Sequence, residues 1–149
     1  MIRAKHLIAA FFVTSVSFSY SADTTPSSSG PSWQGEAQKE IKAKNYDGAI
    51  KTLLAANEPN SADWNNLLGY AERKKSPPDL NAAERYYQAA LKIDPKHKGA
   101  LEYYGELLLM KNDLSGAEQM LARLNKVCFF SCEEYRDLKT AITKYKSTR

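Results

Sequence analysis

The 149-residue sequence has few of the side chains on which most catalytic and metal sites depend. It contains two cysteines and two histidines, and His6 lies in an N-terminal apolar segment, which leaves His97 as the one imidazole of the remaining chain. Two sulfurs alone do not complete a tetrahedral zinc site, and no glycine-rich phosphate loop or Gly-x-Ser-x-Gly motif is present. We therefore expect no enzymatic activity and no cofactor or metal. His97 itself, between two lysines, is interpreted as a surface residue.

A strong excess of one charge is also absent. The formal net charge of +4 comes from 21 basic and 17 acidic residues, and Arg3 and Lys5 supply two of the positive charges. The chain after Ala22 therefore has 19 basic residues against the same 17 acidic ones. A nucleic-acid partner requires a concentrated basic face, so the sequence does not favour one.

Long apolar runs are confined to the N-terminus. Arg3 and Lys5 precede an apolar stretch over residues 7–16, and small residues follow up to Ala22. This order of charge, apolar core and small residues is typical of a secretory signal peptide. The stretch is well short of the ~20 residues that a membrane-spanning helix needs, so we expect no stable membrane insertion once residues 1–22 are removed.

The expected cleavage point follows Ser21 or Ala22, and a lipid-anchored protein would need a cysteine there, whereas the first cysteine is Cys128. Residues 23–32 are rich in Ser, Thr, Pro and Gly and predict a flexible linker. The mature protein is therefore expected to be periplasmic or secreted, in an oxidising compartment.

A spacing of 34 residues dominates the rest of the chain. Within each copy, small and bulky residues recur at intervals of three and four, which is one face of an α-helix. A small residue followed four positions later by a bulky one lets two antiparallel helices approach closely. The recurring columns are Gly48, Ala82 and Gly116; Ala49, Ala83 and Ala117; Leu53, Tyr87 and Leu121; and Ala56, Ala90 and Leu124.

Helix boundaries agree with this repeat. Pro59 and Pro95 end helices because proline restricts the preceding residue and lacks an amide donor, and Asp79 and Asp113 stand at expected N-cap positions. The pattern predicts seven helices, at about 33–44, 47–57, 62–75, 80–93, 98–111, 114–127 and 132–146. On the last one, four apolar residues share a face that can cover the third hairpin: Tyr135, Leu138, Ile142 and Tyr145.

These columns resemble the tetratricopeptide repeat family, in which small and large residues and a closing proline recur every 34 residues. The second copy reads Leu68, Gly69, Ala83, Tyr87, Ala90 and Pro95, and the third reads Tyr104, Gly105, Leu108, Ala117, Leu121 and Leu124. The resemblance implies an all-α, right-handed superhelical stack of about three helix hairpins plus a C-terminal capping helix. We place the repeats at about 33–61, 62–97 and 98–131, and the capping helix and tail at 132–149. The C-terminal half is also similar to small exported bacterial members with a cysteine pair.

Two departures from the family pattern stand out. The pair Leu68 and Gly69 lies 36 residues before Tyr104 and Gly105, which predicts two inserted residues in the loop at 75–78. In that register, Glu72 occupies a position where a large apolar residue is usual, so we expect looser packing around it.

The two cysteines, Cys128 and Cys132, lie between the third repeat and the last helix. A tight turn places Cα atoms four residues apart at roughly 5 to 6 Å, within disulfide reach, so we expect a structural disulfide in an oxidising compartment. Ser131 and Glu134 have the spacing of a capping box. A redox-active pair remains the alternative, because the N-terminus of a helix lowers the pKa of a thiol.

The expected function follows from the surface, because the first helix of each hairpin lines the hollow side of such a stack. We predict a non-enzymatic scaffold that binds another protein or a peptide there, with Tyr70 and Arg73 as its anchors. Alternatives are a thiol-redox module using Cys128 and Cys132, or a structural subunit of an envelope complex. Phe129 and Phe130 offer a second contact patch if exposed. The candidate partner-binding residues are Asn66, Tyr70, Arg73, Glu102, Glu106 and Met110, with Gln34, Gln38 and Leu109 on the same side.

Overall fold

The computed structural model describes residues 32–148, in which seven α-helices and no β-strand are found. The predicted signal peptide at 1–22 and the linker up to residue 31 lie outside the described residues. Within the described part, every helix is too short or too polar to cross a membrane. The helices are α1 (Trp33–Lys42), α2 (Tyr46–Ala56), α3 (Ala62–Lys74), α4 (Leu80–Ile93), α5 (Lys98–Met110), α6 (Leu114–Val127) and α7 (Glu133–Ser147).

Consecutive helices pack as three hairpins. Helix α1 packs on α2, α3 on α4, and α5 on α6, while contacts of α2 with α3 and of α4 with α5 join one hairpin to the next. Helix α7 packs on both α5 and α6. The predicted all-α stack of three hairpins with a C-terminal capping helix is confirmed.

Side-chain caps explain where the helices begin. Asp79 and Asp113 act as the predicted N-caps of α4 and α6: each accepts a 2.8 Å hydrogen bond from a backbone N–H in the first turn of its helix. Such a cap satisfies a donor that the helix itself leaves without a partner. Four further helices have a side-chain cap as well, from Ser32, Asn45, Ser61 and His97.

The predicted capping box at the start of α7 is wrong. Cys132 is the N-cap residue and makes no side-chain capping bond, while Ser131 has φ 60°, in the left-handed region. Ser131 therefore belongs to the loop that precedes the cap. Helix α7 still begins beside Cys132, as expected, with Glu133 and Glu134 in its first turn, where negative charge is favourable.

The small-and-large columns form the contacts between helices. Ala49, Ala83 and Ala117 are fully buried, as is Tyr87. A Cβ atom on Gly69 of α3 would lie 2.7 Å from the Tyr87 ring on α4, too close for any side chain larger than hydrogen. The glycine is therefore what allows a tyrosine to fill the interior of the second hairpin.

Gly105 plays the same part at the C-terminal end, where a Cβ atom would lie 2.6 Å from the side chain of Leu138 on α7. Leu138 and Ile142 are buried, and Tyr135 and Tyr145 pack against the same core cluster. The predicted apolar face of the last helix is confirmed.

The loop between α3 and α4 is longer than its counterparts. Residues 75–79 separate α3 from α4, whereas three residues, 43–45 and 111–113, connect α1 with α2 and α5 with α6. The two inserted residues are confirmed. Glu72 is buried and its carboxylate pairs with Lys75 at 2.6 Å, so a lysine from the longer loop neutralises the charge that replaces an apolar side chain.

Candidate functional site

The first helices of the hairpins form the inner face of the stack. Helix α1 contacts α3, and α3 contacts α5, whereas α2 and α4 do not approach each other, nor do α4 and α6. First helices that lie closer together than second helices place the former on the concave side. We call the surface of α1, α3, α5 and the start of α7 the inner face.

A row of tyrosine rings runs from the inner face into the core of the second hairpin. The ring centroids of Tyr46 and Tyr70 are 6.4 Å apart, those of Tyr70 and Tyr103 are 4.9 Å apart, and those of Tyr103 and Tyr87 are 6.4 Å apart. The row joins side chains from α2, α3, α4 and α5. Because aromatic pairs at these distances stabilise each other beyond their buried area, the row gives the inner face a rigid aromatic floor.

Arg73 lies within this aromatic floor. Its guanidinium carbon is 5.6 Å from the ring centroids of both Tyr70 and Tyr103, and Nη2 forms a 2.7 Å ion pair with Glu106 on α5. Only 6% of the residue is exposed. Arg73 therefore links α3 to α5, and its charge is balanced inside the protein.

Glu102 is the most perturbed carboxyl group of the inner face. Its pKa is raised from 4.5 to about 8, first by burial and then by the nearby negative charges of Glu106, Asp137 and Glu134, while Arg73 opposes these effects. Among residues 32–148 no hydrogen bond or ion pair involves the Glu102 side chain, although only 8% of the residue is exposed. The sequence thus folds into an inner face with one buried, unpaired acid.

A cleft of about 230 Å³ opens beside the aromatic floor. Its walls come from α1, α3 and α5, the first helices of the three hairpins. Apolar and aromatic groups with a few polar atoms at the edge are typical of sites that bind a side chain of a partner. The residues that line the cleft are Gln38, Ile41, Lys42, Leu67, Tyr70 and Tyr103.

A larger depression of about 690 Å³ lies at the hairpin loops, away from the inner face. Residues 75–81 line much of it, and its charged groups are of both signs: Asp47 and Asp79 are acidic, and Lys75 and Lys111 are basic. This surface offers neither an apolar floor nor a field of one sign, so we do not assign a site to it.

The structure brings four of the six predicted partner-binding residues together. Arg73 contacts both Tyr70 and Glu106, and Glu102 lies within electrostatic reach of Arg73 and Glu106. Arg73 is buried and paired, so it supports the surface from within and does not project as an exposed anchor. That any of these residues binds a partner stays a prediction.

The other two predicted residues lie apart from this group. Asn66 is buried, with its amide nitrogen close to Gly99 of α5. Met110 is half exposed and borders a shallow groove between α5 and α7 together with Leu109 and Tyr145. Neither lines the cleft.

Tyr103 and Tyr46 were absent from the sequence-based set. Tyr103 had a detectable signal: in the register that aligns Gly69 with Gly105, it occupies the position of Leu67, and both residues line the cleft. Tyr46 had none, because it lies at the start of α2 and reaches the inner face only through its contact with Tyr70.

His97 and Gln34 have roles that the sequence did not reveal. His97 Nδ1 accepts a 3.0 Å hydrogen bond from the Ala100 N–H. The other ring nitrogen, Nε2, therefore carries the hydrogen and donates it to Asp63 Oδ1 at 2.9 Å. The Gln34 amide donates to Asp63 Oδ2 at 3.2 Å. One carboxylate therefore joins the N-terminal ends of α1, α3 and α5.

The predicted disulfide is present between Cys128 and Cys132, whose Cα atoms are 5.5 Å apart. The loop that it closes carries Phe129, 91% exposed, and Phe130, 100% exposed. Both rings therefore lie in solvent and are available as a second contact patch. Glu134 lies close to the two sulfurs, and among the described residues these three form the one group with metal-ligand spacing. Sulfurs bonded to each other are not the thiolates that a metal requires.

Comparisons with known proteins agree with this architecture. Residues 79–142 match the family model for the tetratricopeptide repeat, and no curated protein matches the sequence significantly.

Solved structures give similar folds at low identity. The Yersinia enterocolitica type III secretion translocator chaperone SycD has a TM-score of 0.67 at 17% identity, over 78% of this chain and 82% of that one. SycD in complex with a peptide of the translocator YopD has a TM-score of 0.62 at 19% identity, over 78% and 88%. The first tetratricopeptide domain of human RPAP3 has a TM-score of 0.63 at 16% identity, over 78% and 94%.

The matched segment and the described fold lead to the same assignment. Residues 79–142 contain the second half of the second hairpin, the whole third hairpin and most of α7, and the described chain superimposes on tetratricopeptide stacks over its three hairpins. Residues 79–142 therefore match the tetratricopeptide repeat model, and residues 32–148 have the tetratricopeptide fold.

Proposed function

We propose that this chain is a non-enzymatic scaffold of the bacterial periplasm that holds a peptide or partner protein on its inner face. One observation carries the proposal: the first helices of three successive hairpins line one open cleft, beside an aromatic floor that joins α3 to α5, and no single hairpin could form this surface. An extended segment or a helix lying across α1, α3 and α5 could place one side chain in the cleft.

The structural neighbours support the general part of this proposal. SycD was solved with a peptide of YopD, so the same fold binds a peptide in that protein. The tetratricopeptide match also favours protein interaction over catalysis. A pre-formed floor reduces the ordering that binding would otherwise require, which suits a scaffold.

The proposed location has its own basis. Residues 1–22 have the signal-peptide pattern, and the described disulfide is the kind of bond that persists in oxidising compartments. Expression of the full chain in a bacterium, followed by mass spectrometry of the periplasmic fraction, should give a protein that begins at Ala22 or Asp23. Recovery of the intact chain in the cytoplasm would contradict the location.

Site-specific photo-crosslinking tests the inner face directly. A photo-reactive amino acid replaces Gln38, which lines the cleft, or Gln119, which is also an exposed glutamine but lies on α6. In the native host, the Gln38 variant should form discrete adducts and the Gln119 variant should not. Adding Tyr70→Ala should reduce the Gln38 adducts, because it removes half of the 4.9 Å ring pair. Equal adducts at both positions would contradict the proposal.

A thiol-redox role is the second candidate, favoured by the position of Cys132 at the N-terminus of α7, where the helix stabilises a thiolate. Equilibration with glutathione buffers separates the two roles. A structural bridge stays oxidised in the glutathione poise of the cytosol, whereas a redox-active pair exchanges readily.

A further inference from the structure

We propose that the inner face receives a cationic side chain of the partner, a lysine or an arginine, against Glu102 and Glu106. This inference rests on the proposed function and adds the chemistry of the bound segment: an apolar side chain in the cleft and a cation beside it. Tyr70 and Tyr103 line the cleft, and the Glu102 carboxyl group lies within electrostatic reach of both side chains, so the two subsites are neighbours.

Glu102 is a buried carboxyl group that lacks a pairing partner among the described residues. Buried carboxyl groups in folded proteins are paired with hydrogen-bond donors or cations, yet among the described residues none serves Glu102. Its oxygens are not among the fully buried unpartnered atoms, so they keep access to the surface. A group that is nine-tenths buried, open at its oxygens and without a donor is suited to a donor supplied from outside.

The charges around Glu102 indicate whether the donor from the partner is cationic or neutral. Four carboxyl groups act on this region, from Glu102 and Glu106 on α5 and from Glu134 and Asp137 on α7. Arg73 on α3 is the cation acting on it, and its Nη2 already pairs with Glu106. The remaining field is negative in a partly dehydrated setting, where a charge interacts more strongly than in water. An anionic or C-terminal carboxylate ligand is disfavoured there.

The geometry points to an organic cation in preference to a metal ion. Metal binding by carboxylates requires several oxygens that converge on one point. Among residues 32–148, no set of three ligand atoms that includes Glu102 or Glu106 lies within 4.8 Å. These carboxyl groups therefore do not converge as metal ligands do, whereas a guanidinium or an ammonium needs only one carboxylate within hydrogen-bond distance.

Selection from a library of random peptides of about 12 residues tests this inference. The immobilised target is the disulfide-bonded chain, above the Glu102 pKa of about 8. Enriched peptides should carry Lys or Arg next to an apolar residue. Their affinity should fall about tenfold for Glu102→Gln, as expected for loss of a partly buried ion pair. Glu58→Gln, a change of an exposed acid outside the inner face, should have no effect.

The outcomes separate this inference from the function on which it rests. Enriched peptides that need Tyr70 but show no Lys or Arg preference would overturn the cation subsite and leave the scaffold intact. If no peptide is enriched against any variant, the proposed binding face itself fails, and the subsite with it.

The pH dependence of binding provides a second readout. A cation favours ionised Glu102, so affinity of a Lys peptide should rise from about pH 6 to about pH 9, with release of a proton on binding near neutrality. The charged groups that face Glu102 are Glu106, Arg73, Glu134 and Asp137, and all are retained in Glu102→Gln. That variant should lose the pH dependence. An unchanged pH profile would contradict the assignment.

Discussion

At the scale of single residues, Glu102 makes stability depend on pH. Its pKa is raised from 4.5 to about 8 in the folded chain, first by burial, so between these values the folded state holds a proton that the unfolded state has lost. Stability therefore falls as pH rises through this range, and the full cost is present above about pH 8. The cost is about 1 to 3 kcal/mol, because water still reaches the carboxyl oxygens.

The corresponding prediction concerns Glu102→Gln. In chemical denaturation, this variant should be more stable than the parent by about 1 to 3 kcal/mol at about pH 9, and the difference should vanish towards about pH 4. Glu58→Gln should follow the parent at every pH. Parallel pH profiles of the parent and Glu102→Gln would contradict the burial of an unpaired acid.

Gly69 gives a second residue-scale prediction. An added methyl group would lie 2.7 Å from the Tyr87 ring, which is fully buried, so Gly69→Ala should lower the unfolding free energy by about 1 to 3 kcal/mol. The matched control is Gly35→Ala, where the nearest side-chain atom is 3.5 Å away. There the gain in helix propensity should stabilise the chain by up to about 1 kcal/mol. Equal effects of the two substitutions on the denaturation midpoint would contradict the packing described for the second hairpin.

The role of a residue could be predicted from the sequence where its position recurs in every repeat, but not where its contacts join one hairpin to the next. The 34-residue columns predicted that Ala49, Ala83 and Ala117 are buried, and all three are. The links between hairpins, such as Arg73 with Glu106 or Asp63 with His97, depend on how one hairpin sits on the next. A one-dimensional pattern contains periodicity but not this three-dimensional offset, so it could not show that Arg73, predicted as an anchor, is buried and paired with Glu106.

At the scale of the element, α7 is held by its apolar face and by the disulfide before it. The bridge closes a loop of residues 128–132, and the chain-entropy relation gives about 2 kcal/mol for a loop this short. Replacing both Cys128 and Cys132 with Ser should lower the unfolding free energy by about that amount and leave the helix content seen by circular dichroism nearly unchanged.

Phe129→Ser with Phe130→Ser is the matched control for this loop. Both rings are exposed, so the pair of substitutions should not reduce stability. A loss of more than about 4 kcal/mol on removing the disulfide, or an equal loss in the phenylalanine variant, would contradict the account of α7 as a helix docked mainly through Leu138 and Ile142.

Most helix boundaries could be predicted from N-cap residues and helix-ending prolines. The predicted bounds of α4 and α6 are those observed, because an aspartate at the N-cap fixes each start. The start of α7 was located correctly for a wrong reason: Ser131 and Glu134 have the capping-box spacing, but the disulfide loop places Ser131 in a left-handed conformation. A covalent constraint therefore outweighed a local sequence preference.

At the scale of the whole molecule, Asp63 connects the three hairpins at one edge. Its carboxylate accepts one hydrogen bond from Gln34 on α1 and another from His97 at the start of α5. Asp63→Ala should remove both links and lower the unfolding free energy by about 1 kcal/mol, with faster amide exchange at the N-terminal ends of α1 and α5. Unchanged exchange at both ends would show that the hairpins are aligned by apolar packing alone.

The stack as a whole was predictable because each hairpin buries its apolar face only against the next. The inner face was predictable as a location, since first helices line the hollow side. Its chemistry was not, because Tyr46, Tyr70 and Tyr103 come from three different helices and converge only after the superhelix forms.

Hydrogen exchange on the complex with the tightest library peptide tests the central claim most directly. If the partner lies on the inner face, protection should increase along α1, α3 and α5, while the outer surfaces of α2, α4 and α6 stay unchanged. Protection confined to α2, α4 and α6, or to the loop that carries Phe129 and Phe130, would contradict the assignment of the inner face as the binding surface.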